Sequence, residues 1–406
     1  MIVKKSLFFY FISVILLLNL IQAQSQIKII KAKRMIDVVK GVVVENPVIE
    51  IDGNKIVEVG EHVVIPANAE IIDLGDMTIL PGLIDCHTHV LAGTNDYAQD
   101  LYGNAPSYRA LRAVGHLHKA LSNGFTTLRD VCSEGAGFAD VDLRRAIDSG
   151  FITGPRLLVA GKGIAATGMY LPWGETANWE LMLPSGTQFA TGVDECVKAV
   201  REQVSRGVNL IKLFSDWGLP TFSFTEIKAI VDEATKNHCP VAAHATTSEA
   251  IGMAIRAGVR SIEHGNGFND SLIELAIANH VFWCPTLTVF DLRGNLADKR
   301  FKYLKKALDA GLKIACGTDI GSFSWDINEV TELEIYVTKV GFTPMDAIQT
   351  ATVNAADLLG LKDKIGSISK GKLADIIAVE GNPLENISAL RKVRMVMKDG
   401  IIYKHD

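Results

Sequence analysis

The sequence lacks the long basic stretches with which many proteins bind nucleic acid. Its formal net charge is −5, and no long run of lysine and arginine stands out. Nucleic-acid binding depends on positive patches of this kind, so we expect no nucleic-acid partner. Mild acidity of this size affects solubility and does not identify a substrate.

Paired cysteines are also missing. The six cysteines form no Cys-x-x-Cys pair and no regular ladder, which argues against a scaffold built on disulfides. Pairing of Cys196 with Cys239 stays open. The other four lie in or beside predicted strands, where a small buried thiol is expected: Cys86, Cys132, Cys284 and Cys316.

The main apolar run is short for a membrane span. Lys4 and Lys5 precede the run from Leu7 to Ile21, and small or polar residues follow. This order is typical of a secretory signal peptide, whereas a spanning helix needs about 20 apolar residues. We expect residues 1–25 to be removed on export to the periplasm or the medium, with no stable membrane insertion afterwards. A short membrane anchor is the alternative.

Two β-rich segments flank a longer central segment. Residues 26–77 contain short β-branched runs, and Asp52-Gly53 between apolar residues is a strong hairpin signal. Residues 361–406 return to β character. We predict that these two segments form the first and second halves of one small β-sandwich domain.

The central segment, residues 78–360, alternates short apolar strands with helices. This pattern indicates a parallel sheet with helical crossovers. Eight strands over about 240 residues match a (β/α)8 TIM barrel, so we predict the α/β class with a catalytic barrel at 78–360. An open sheet is the alternative. The candidate strands lie at 80–90, 126–131, 156–161, 209–214, 241–245, 261–265, 281–287 and 313–319.

Polar residues at the carboxyl ends of such strands point into the mouth of a barrel. His87 and His89 are two apart on one strand, so their side chains share a face. Imidazole and carboxylate groups suit zinc and similar ions. Each residue alone has a structural explanation, such as a helix cap or a salt bridge, but the joint pattern predicts a metal site. The remaining members are Lys212, His244, His264 and Asp319.

The lysine is the unusual member of this set. A lysine between Ile211 and Leu213 is costly to bury as a cation, and desolvation favours its neutral form. A neutral amine can take up carbon dioxide, and the resulting carbamate has two oxygens that can bridge two metal ions. Two divalent ions about 3.5–4 Å apart acidify a shared water. With Asp319 as the proton shuttle, the set predicts hydrolysis of an amide or related bond by a metal-bridging hydroxide.

Several motifs resemble those of the amidohydrolase superfamily, in its exported imidazolonepropionase-like and Xaa-Pro dipeptidase (prolidase)-like branch. The similarity covers nearly everything after residue 25. The motifs are Pro81–His89, Gly124–Asp130, Gly154–Arg156, Ile211-Lys212, His244, Ser261–Gly265, Gly317–Asp319 and Gly366–Asp375.

This resemblance implies a complete two-metal site. It implies that His87, His89 and Asp319 bind a first zinc ion, that His244 and His264 bind a second, and that N6-carboxylated Lys212 bridges both. It also implies a small-molecule substrate, either a dipeptide such as Xaa-Pro or an N-acyl amino acid. The resemblance further implies a homo-oligomer. The lysine position argues against ring opening by a true imidazolonepropionase.

Two stretches depart from the pattern of the family. Relatives often have Thr-Gly-Gly-His where this chain has Thr167-Gly-Met169-Tyr170, and a Gly-Gly loop where it has Phe214–Gly218. Both stretches lie at the predicted rim of the barrel, where the protein would recognise its substrate. Hydrolysis of a lactone, carbamate or phosphoester is therefore an alternative, as is an exported binding protein without catalysis.

Overall fold

The computed structural model describes residues 26–93, 96–169, 185–217, 221–294 and 298–406. The predicted signal peptide lies outside these ranges, as does Tyr170. Within them, no helix combines the length and the apolar character needed to cross a bilayer. All six cysteines are described, and each is a buried free thiol.

A small sheet is formed by strands near the start of the described chain. Its order is β5-β4-β1-β6, and β1 pairs antiparallel with β4 and parallel with β6. The strands are Lys28–Lys31 (β1), Val48–Asp52 (β4), Lys55–Gly60 (β5) and Glu70–Asp73 (β6).

A second sheet joins strands from both ends of the described chain. Its order is β19-β18-β17-β7-β2-β3, and Ile79 of β7 pairs with Ala378 of β17. Ile30 and Ile49 of the first sheet share one buried apolar cluster with Ile79 of the second, so the two sheets pack together. The domain boundaries stay a prediction. The strands are Arg34–Asp37 (β2), Val42–Glu45 (β3), Thr78–Pro81 (β7), Ile376–Val379 (β17), Val393–Lys398 (β18) and Ile401–His405 (β19).

The central segment forms two parallel sheets with the orders β10-β9-β8 and β12-β11-β13-β14-β15-β16. Their strands are almost wholly buried, as expected of parallel strands covered on both faces. The strands are Leu83–Thr88 (β8), Phe125–Asp130 (β9), Arg156–Val159 (β10), Gly163–Ala166 (β11), Thr187–Ala190 (β12), Ile211–Phe214 (β13), Val241–Ala245 (β14), Ser261–His264 (β15) and Phe282–Cys284 (β16).

Helices alternate with most of these strands, as predicted. The α-helices among the described residues are Pro106–Ser122 (α1), Ala139–Asp148 (α2), Gly192–Ser205 (α3), Phe224–Lys236 (α4), Ser248–Ala257 (α5), Asp270–Ala278 (α6), Leu287–Leu292 (α7), Asp298–Asp309 (α8), Val330–Ile335 (α9), Pro344–Thr350 (α10) and Val353–Leu358 (α11). Helix α4 illustrates the local cause. Ser223 and Glu226 form a capping box at its start, and Ile227, Ile230 and Ala234 then bury one face.

The predicted eighth strand, residues 313–319, is not a strand in the structure. The segment makes only isolated parallel bridges, Trp283 with Ile314 and Thr88 with Ile320. The N–H of Cys316 donates to Thr350 O at 2.9 Å instead of to a strand, and Asp319 has φ 65°. A left-handed residue ends an extended ladder, so regular pairing stops where the site begins.

Hydrogen bonds nevertheless hold this segment between the two parallel sheets. Ala315 N–H donates to Trp283 O at 3.0 Å, and Asp319 N–H donates to His87 O at 2.8 Å. A Cβ at Gly317 would lie 2.2 Å from Cys284 Sγ and 2.7 Å from His87 Cβ. Only glycine permits this approach, so the packing requires a glycine at position 317.

A buried ion cluster joins the central segment to the mixed sheet. Arg156 on β10 donates to Asp375 Oδ2 at 2.7 Å and to Asp399 Oδ1 at 2.6 Å. It also donates to Thr127 Oγ1 at 3.0 Å. This guanidinium connects chain regions that are far apart in sequence.

Replacing Arg156 with Met should lower the free energy of unfolding by about 3 kcal/mol, because it leaves Asp375 buried without its partner. Urea unfolding measures the change. Arg145→Met is the matched control, because Arg145 pairs with Asp142 on the surface at 3.4 Å and such pairs contribute little. Equal stability of both variants would contradict a role for the cluster in joining these regions.

Candidate metal centre

The predicted site residues lie at the carboxyl ends of neighbouring parallel strands. His87 is in β8 and His89 follows it, while His244 and His264 lie at the ends of β14 and β15. The register places Phe214 beside His244 and Ala245 beside His264. Lys212 lies in β13, and Asp319 lies in the segment beside β8.

His87, His89 and Asp319 form a compact group. His89 Nε2 lies 3.2 Å from Asp319 Oδ1, and His87 Nε2 lies 3.7 Å from the same oxygen. One ligand atom from each of the three lies within 4.8 Å of the others, and all three residues are buried. Two imidazoles and a carboxylate at this separation suit a divalent ion such as zinc.

His244 and His264 form an adjoining pair. Their ring centroids are 4.6 Å apart, and the His264 ring is 4.9 Å from that of His87. The two groups therefore share one buried region. His264 connects them.

Lys212 lies among these imidazoles without a hydrogen-bond partner. Its Nζ is buried, and none of the described residues accepts a hydrogen bond from it. Burial lowers the pKa of this amine below its ordinary value. The positive charge of Lys212 in turn contributes to lowering the pKa of His87, His244 and His264. All six predicted residues thus meet in one place.

Outer contacts fix the ring orientation of three histidines. His87 Nδ1 lies 2.7 Å from Glu263 Oε2, and His264 Nδ1 lies 2.7 Å from Thr286 Oγ1. His89 Nδ1 donates to the carbonyl oxygen of Cys132 at 3.1 Å. Each contact engages Nδ1 and leaves Nε2 toward the shared region, which is the usual arrangement around a bound metal.

The ring of His244 is turned the other way. Its Nδ1 is buried and makes no hydrogen bond to any described residue, while its Nε2 lies 3.9 Å from Asp216 Oδ1. The unpartnered atom is therefore Nδ1. A metal centre would provide partners for this buried nitrogen and for the buried amine of Lys212.

Burial and neighbouring charges set the protonation of the site. Burial lowers the pKa of His87 to about 4, so its ring is neutral near pH 7. Burial also acts to lower the pKa of His89, but the hydrogen bond to Asp319 and the charge of Glu134 outweigh it and raise the pKa to about 9. For Asp319, the imidazoles outweigh the raising effect of burial and hold the pKa well below its usual range.

The backbone is strained at several of these residues. His264 has φ 66°, Asp319 has φ 65° and Thr286 has φ 51°. Non-glycine residues rarely adopt this left-handed conformation, and it clusters at functional sites. Two predicted ligands and the hydroxyl that orients one of them share this strain.

Several contributing residues were not identified from the sequence. Asp85 accepts hydrogen bonds from His87 N–H at 3.0 Å and Thr318 Oγ1 at 2.6 Å. Burial raises the pKa of Asp85 to about 8. Arg129 and Glu263 form a buried pair at 2.8 Å behind His87. A charged residue within an otherwise buried parallel strand was the available signal.

Aromatic rings lie beside two of the predicted histidine ligands. Trp217 is half-exposed, and its ring lies 4.8 Å from that of His244. The ring of Phe290 lies 6.1 Å from that of His264. Met169 is buried. These rings give part of the rim an apolar surface.

The donor set fits two divalent ions. The group of His87, His89 and Asp319 offers one set of ligands. The rings of His244 and His264 lie beside it, and His244 Nδ1 and Lys212 Nζ are buried without a hydrogen-bond partner among the described residues. A carbamate on Lys212 would supply the anionic oxygens that two ions require.

Comparison with known proteins gives matches along most of the chain. The model of the amidohydrolase family matches residues 78–402. Ochratoxinase from Aspergillus niger is 31% identical over 371 residues, which covers 80% of this chain and 75% of that protein. Imidazolonepropionase from Thermoplasma volcanium is 24% identical, covering 83% of this chain and 84% of the other.

A solved structure of a Xaa-Pro dipeptidase with methionine bound in its active site is also similar. It is 33% identical and has a TM-score of 0.85, covering 93% of this chain and 100% of that chain. These matches confirm the resemblance inferred from the motifs.

The metal-free protein should become more stable when Lys212 is replaced with Met. The change removes a buried amine without a hydrogen-bond partner and should raise the free energy of unfolding by about 1–3 kcal/mol. Chemical unfolding in the presence of a chelator measures it. Equal or lower stability of the variant would contradict this account of Lys212.

The gain should also depend on pH. Lys212 has a lowered pKa in the folded protein and its ordinary value of 10.5 in the unfolded chain, so the unfolded state binds more protons between these values. The metal-free wild type therefore gains stability as pH rises toward 10.5. The K212M variant lacks this contribution, so its advantage should shrink across the same interval.

Proposed function

Since the chain belongs to the amidohydrolase family, we propose that it is a two-metal hydrolase that cleaves the amide bond of dipeptides or N-acyl amino acids, with Xaa-Pro dipeptides as the first candidates. That it is a hydrolase of C–N amide bonds follows from the family and from its dipeptidase and ochratoxinase relatives. The number of ions, their identity as zinc and the substrate are the proposed parts.

The observation that carries the proposal is the convergence of six side chains around one buried region. His87, His89 and Asp319 would hold one ion, since their ligand atoms already lie within 4.8 Å of one another. His244 and His264 would hold the second. A carboxylated Lys212 would join both. Bound there, the two ions would supply a polarised carbonyl and a water acidified enough to attack it.

Asp319 is the proposed proton shuttle. Its carboxylate lies 3.2 Å from His89 Nε2 and accepts a hydrogen bond from Ser322 Oγ at 2.8 Å. The neighbouring imidazoles outweigh burial and keep its pKa low, so the group is ionised before reaction and able to accept a proton. Asp319 would take the proton from the attacking water. Transfer of this proton to the leaving nitrogen would complete amide hydrolysis.

The environment of Lys212 favours the neutral amine that carboxylation requires. Burial lowers the pKa of its amine, and only a neutral amine reacts with carbon dioxide. Its Nζ makes no hydrogen bond to the described residues, so no partner competes for that reaction. The carbamate would place a negative charge among five other ligands and offset the cost of burying them.

The apolar rim supports a substrate with an apolar side chain. Trp217 and Phe290 lie against the rings of His244 and His264. Ring surfaces of this kind bind apolar groups. The methionine in the related dipeptidase structure is consistent with an apolar amino acid as a ligand.

The proposal also includes closure of the barrel, export and assembly into an oligomer. The two parallel sheets and the segment 313–320 are proposed to close into one (β/α)8 barrel, supported by the bonds of that segment to both β8 and β16 and by the similarity to the dipeptidase. Export by the signal peptide at 1–25 is proposed. Recovery of a protein that begins near residue 26 from the periplasm or the medium would support it.

A homo-oligomer is proposed. A mass above that of one chain, measured by light scattering, would support it.

We expect the zinc-loaded mature protein to hydrolyse members of a library of dipeptides and N-acyl amino acids that vary at the C-terminal residue. Initial rates should cluster on proline or on one class of apolar residue, and chelation should abolish them. Absence of turnover with two zinc ions bound would reject dipeptides and N-acyl amino acids as the substrates. It would favour a lactone, carbamate or phosphoester, whereas failure to bind zinc would favour a binding protein.

Lys212→Ala should remove most of this turnover, by about 100-fold or more, because the ligand between the two ions is lost. Zinc content should fall in the same variant. Lys236→Ala is the control, because Lys236 lies on the exposed face of α4 beside Glu233 at 3.5 Å. Full activity of the Lys212 variant would contradict the two-metal model.

A further inference from the structure

Glu263 lies directly behind the ring of His87. Its Oε2 is 2.7 Å from His87 Nδ1, and the two side chains are 0% and 1% exposed. Glu263 precedes His264 on β15 but contacts the histidine of β8, on the other side of the segment 313–320. The contact therefore joins two strands that carry separate members of the metal centre.

Arg129 fixes the second oxygen of the same carboxylate. Its Nη2 donates to Glu263 Oε1 at 2.8 Å, and its Nη1 donates to Ser261 Oγ at 3.0 Å. Its Nε donates to the carbonyl oxygen of Cys86, next to His87. Arginine has only donors, so this network leaves both oxygens of Glu263 as acceptors.

An ionised carboxylate cannot donate a hydrogen bond. His87 must therefore donate through Nδ1, and in the neutral ring this places the lone pair on Nε2. That atom faces Asp319, at 3.7 Å from Oδ1. A ring with the other tautomer would direct an N–H toward the place where a metal ion would bind.

We propose that Glu263, held by Arg129, is a positioning residue that keeps the proton of the neutral His87 ring on Nδ1 and Nε2 free for a metal ion. This inference rests on the proposed two-metal function and adds a cause for the orientation of one ligand. The pair acts through His87 and does not itself contact substrate.

Glu263 could alternatively be a ligand, because its carboxylate, His87 and Cys284 offer atoms within 4.8 Å of one another. The contacts favour the positioning role. One oxygen is already at hydrogen-bond distance from His87, and the other accepts from Arg129 and from the hydroxyl of Ser261. Both oxygens of Glu263 therefore already have hydrogen-bond partners within the protein.

The variant Glu263→Gln tests the assignment with little change in shape. Arg129 can only donate, so the amide oxygen should turn toward it and the amide NH2 should face His87 Nδ1. Nδ1 would then accept, and the proton would move to Nε2. We expect zinc binding at one of the two positions to weaken by about 10- to 100-fold, measured by competition with a chelating dye.

Glu233→Gln is the matched control. Glu233 is also a largely buried carboxylate paired with an arginine, Arg201, at 2.7 Å, but it lies on α4 away from the metal centre. Its variant should keep wild-type zinc affinity. A similar loss of zinc affinity in both variants would indicate a merely structural role for Glu263 and overturn the proposal.

A second measurement does not depend on any variant. Nitrogen NMR of the metal-free wild type, labelled at histidine, reports which ring nitrogen of His87 carries the proton. We expect the proton on Nδ1, and a proton on Nε2 would overturn the proposal. If E263Q does not fold, Glu263→Asp keeps an acceptor and should retain the Nδ1 proton while weakening zinc binding less than tenfold.

These results separate the inference from the proposed function. A wild type that binds zinc and hydrolyses dipeptides, with E263Q of equal zinc affinity, would reject the positioning role alone. A wild type that binds no zinc would reject the proposed function. The position of the proton on His87 would still be measured in that case.

Discussion

The buried amine of Lys212 is the constraint on which the rest of the site depends. A cation in an apolar strand is unfavourable unless it is neutralised or paired, and no described residue accepts a hydrogen bond from Nζ. Burial, to which the charge of Lys212 adds, lowers the pKa of His244 and His264, so these neighbours do not supply a negative charge for the amine. The proposed carbamate and metal ions would supply the missing partners. Folding of the surrounding sheets supplies the free energy that holds these side chains in place before any ion binds.

Local patterns in the sequence predicted much of this arrangement. The spacing of His87 and His89 predicted a common face, and the alternation of short apolar strands with helices predicted the parallel sheets. The structure brings His87, His89 and Asp319 together and places the ring of His264 beside those of His87 and His244. Where the sequence-based prediction failed, the reason was also physical. Residues 313–319 look like a strand, but their pairing depends on where Cys316 finds its backbone acceptor, Thr350. That acceptor is remote in sequence and therefore invisible in the local pattern.

Outer contacts were also beyond the reach of sequence patterns. Nothing local indicates that Glu263 points at His87, because alternation along a strand only separates it from His264. The left-handed φ of His264 and Asp319 is equally hidden, since neither residue is glycine. Such strain costs about 1–3 kcal/mol for each residue and persists because neighbouring strands determine the backbone. Site geometry of this kind is a property of the assembled sheets, and only the identity of the donors is local.

The pairing of Ile79 with Ala378 has a consequence for how the chain is made. Strand β7 leaves the ribosome before the catalytic segment and its partner β17 leaves after it, so the mixed sheet cannot be completed during most of synthesis. Contacts this distant in sequence form slowly. Until then β7, which pairs with β2 on one side, presents an unpaired apolar edge on the other, of the type that aggregates. A truncated chain would keep that edge permanently, so correct closure of the outer sheet distinguishes finished molecules from incomplete ones.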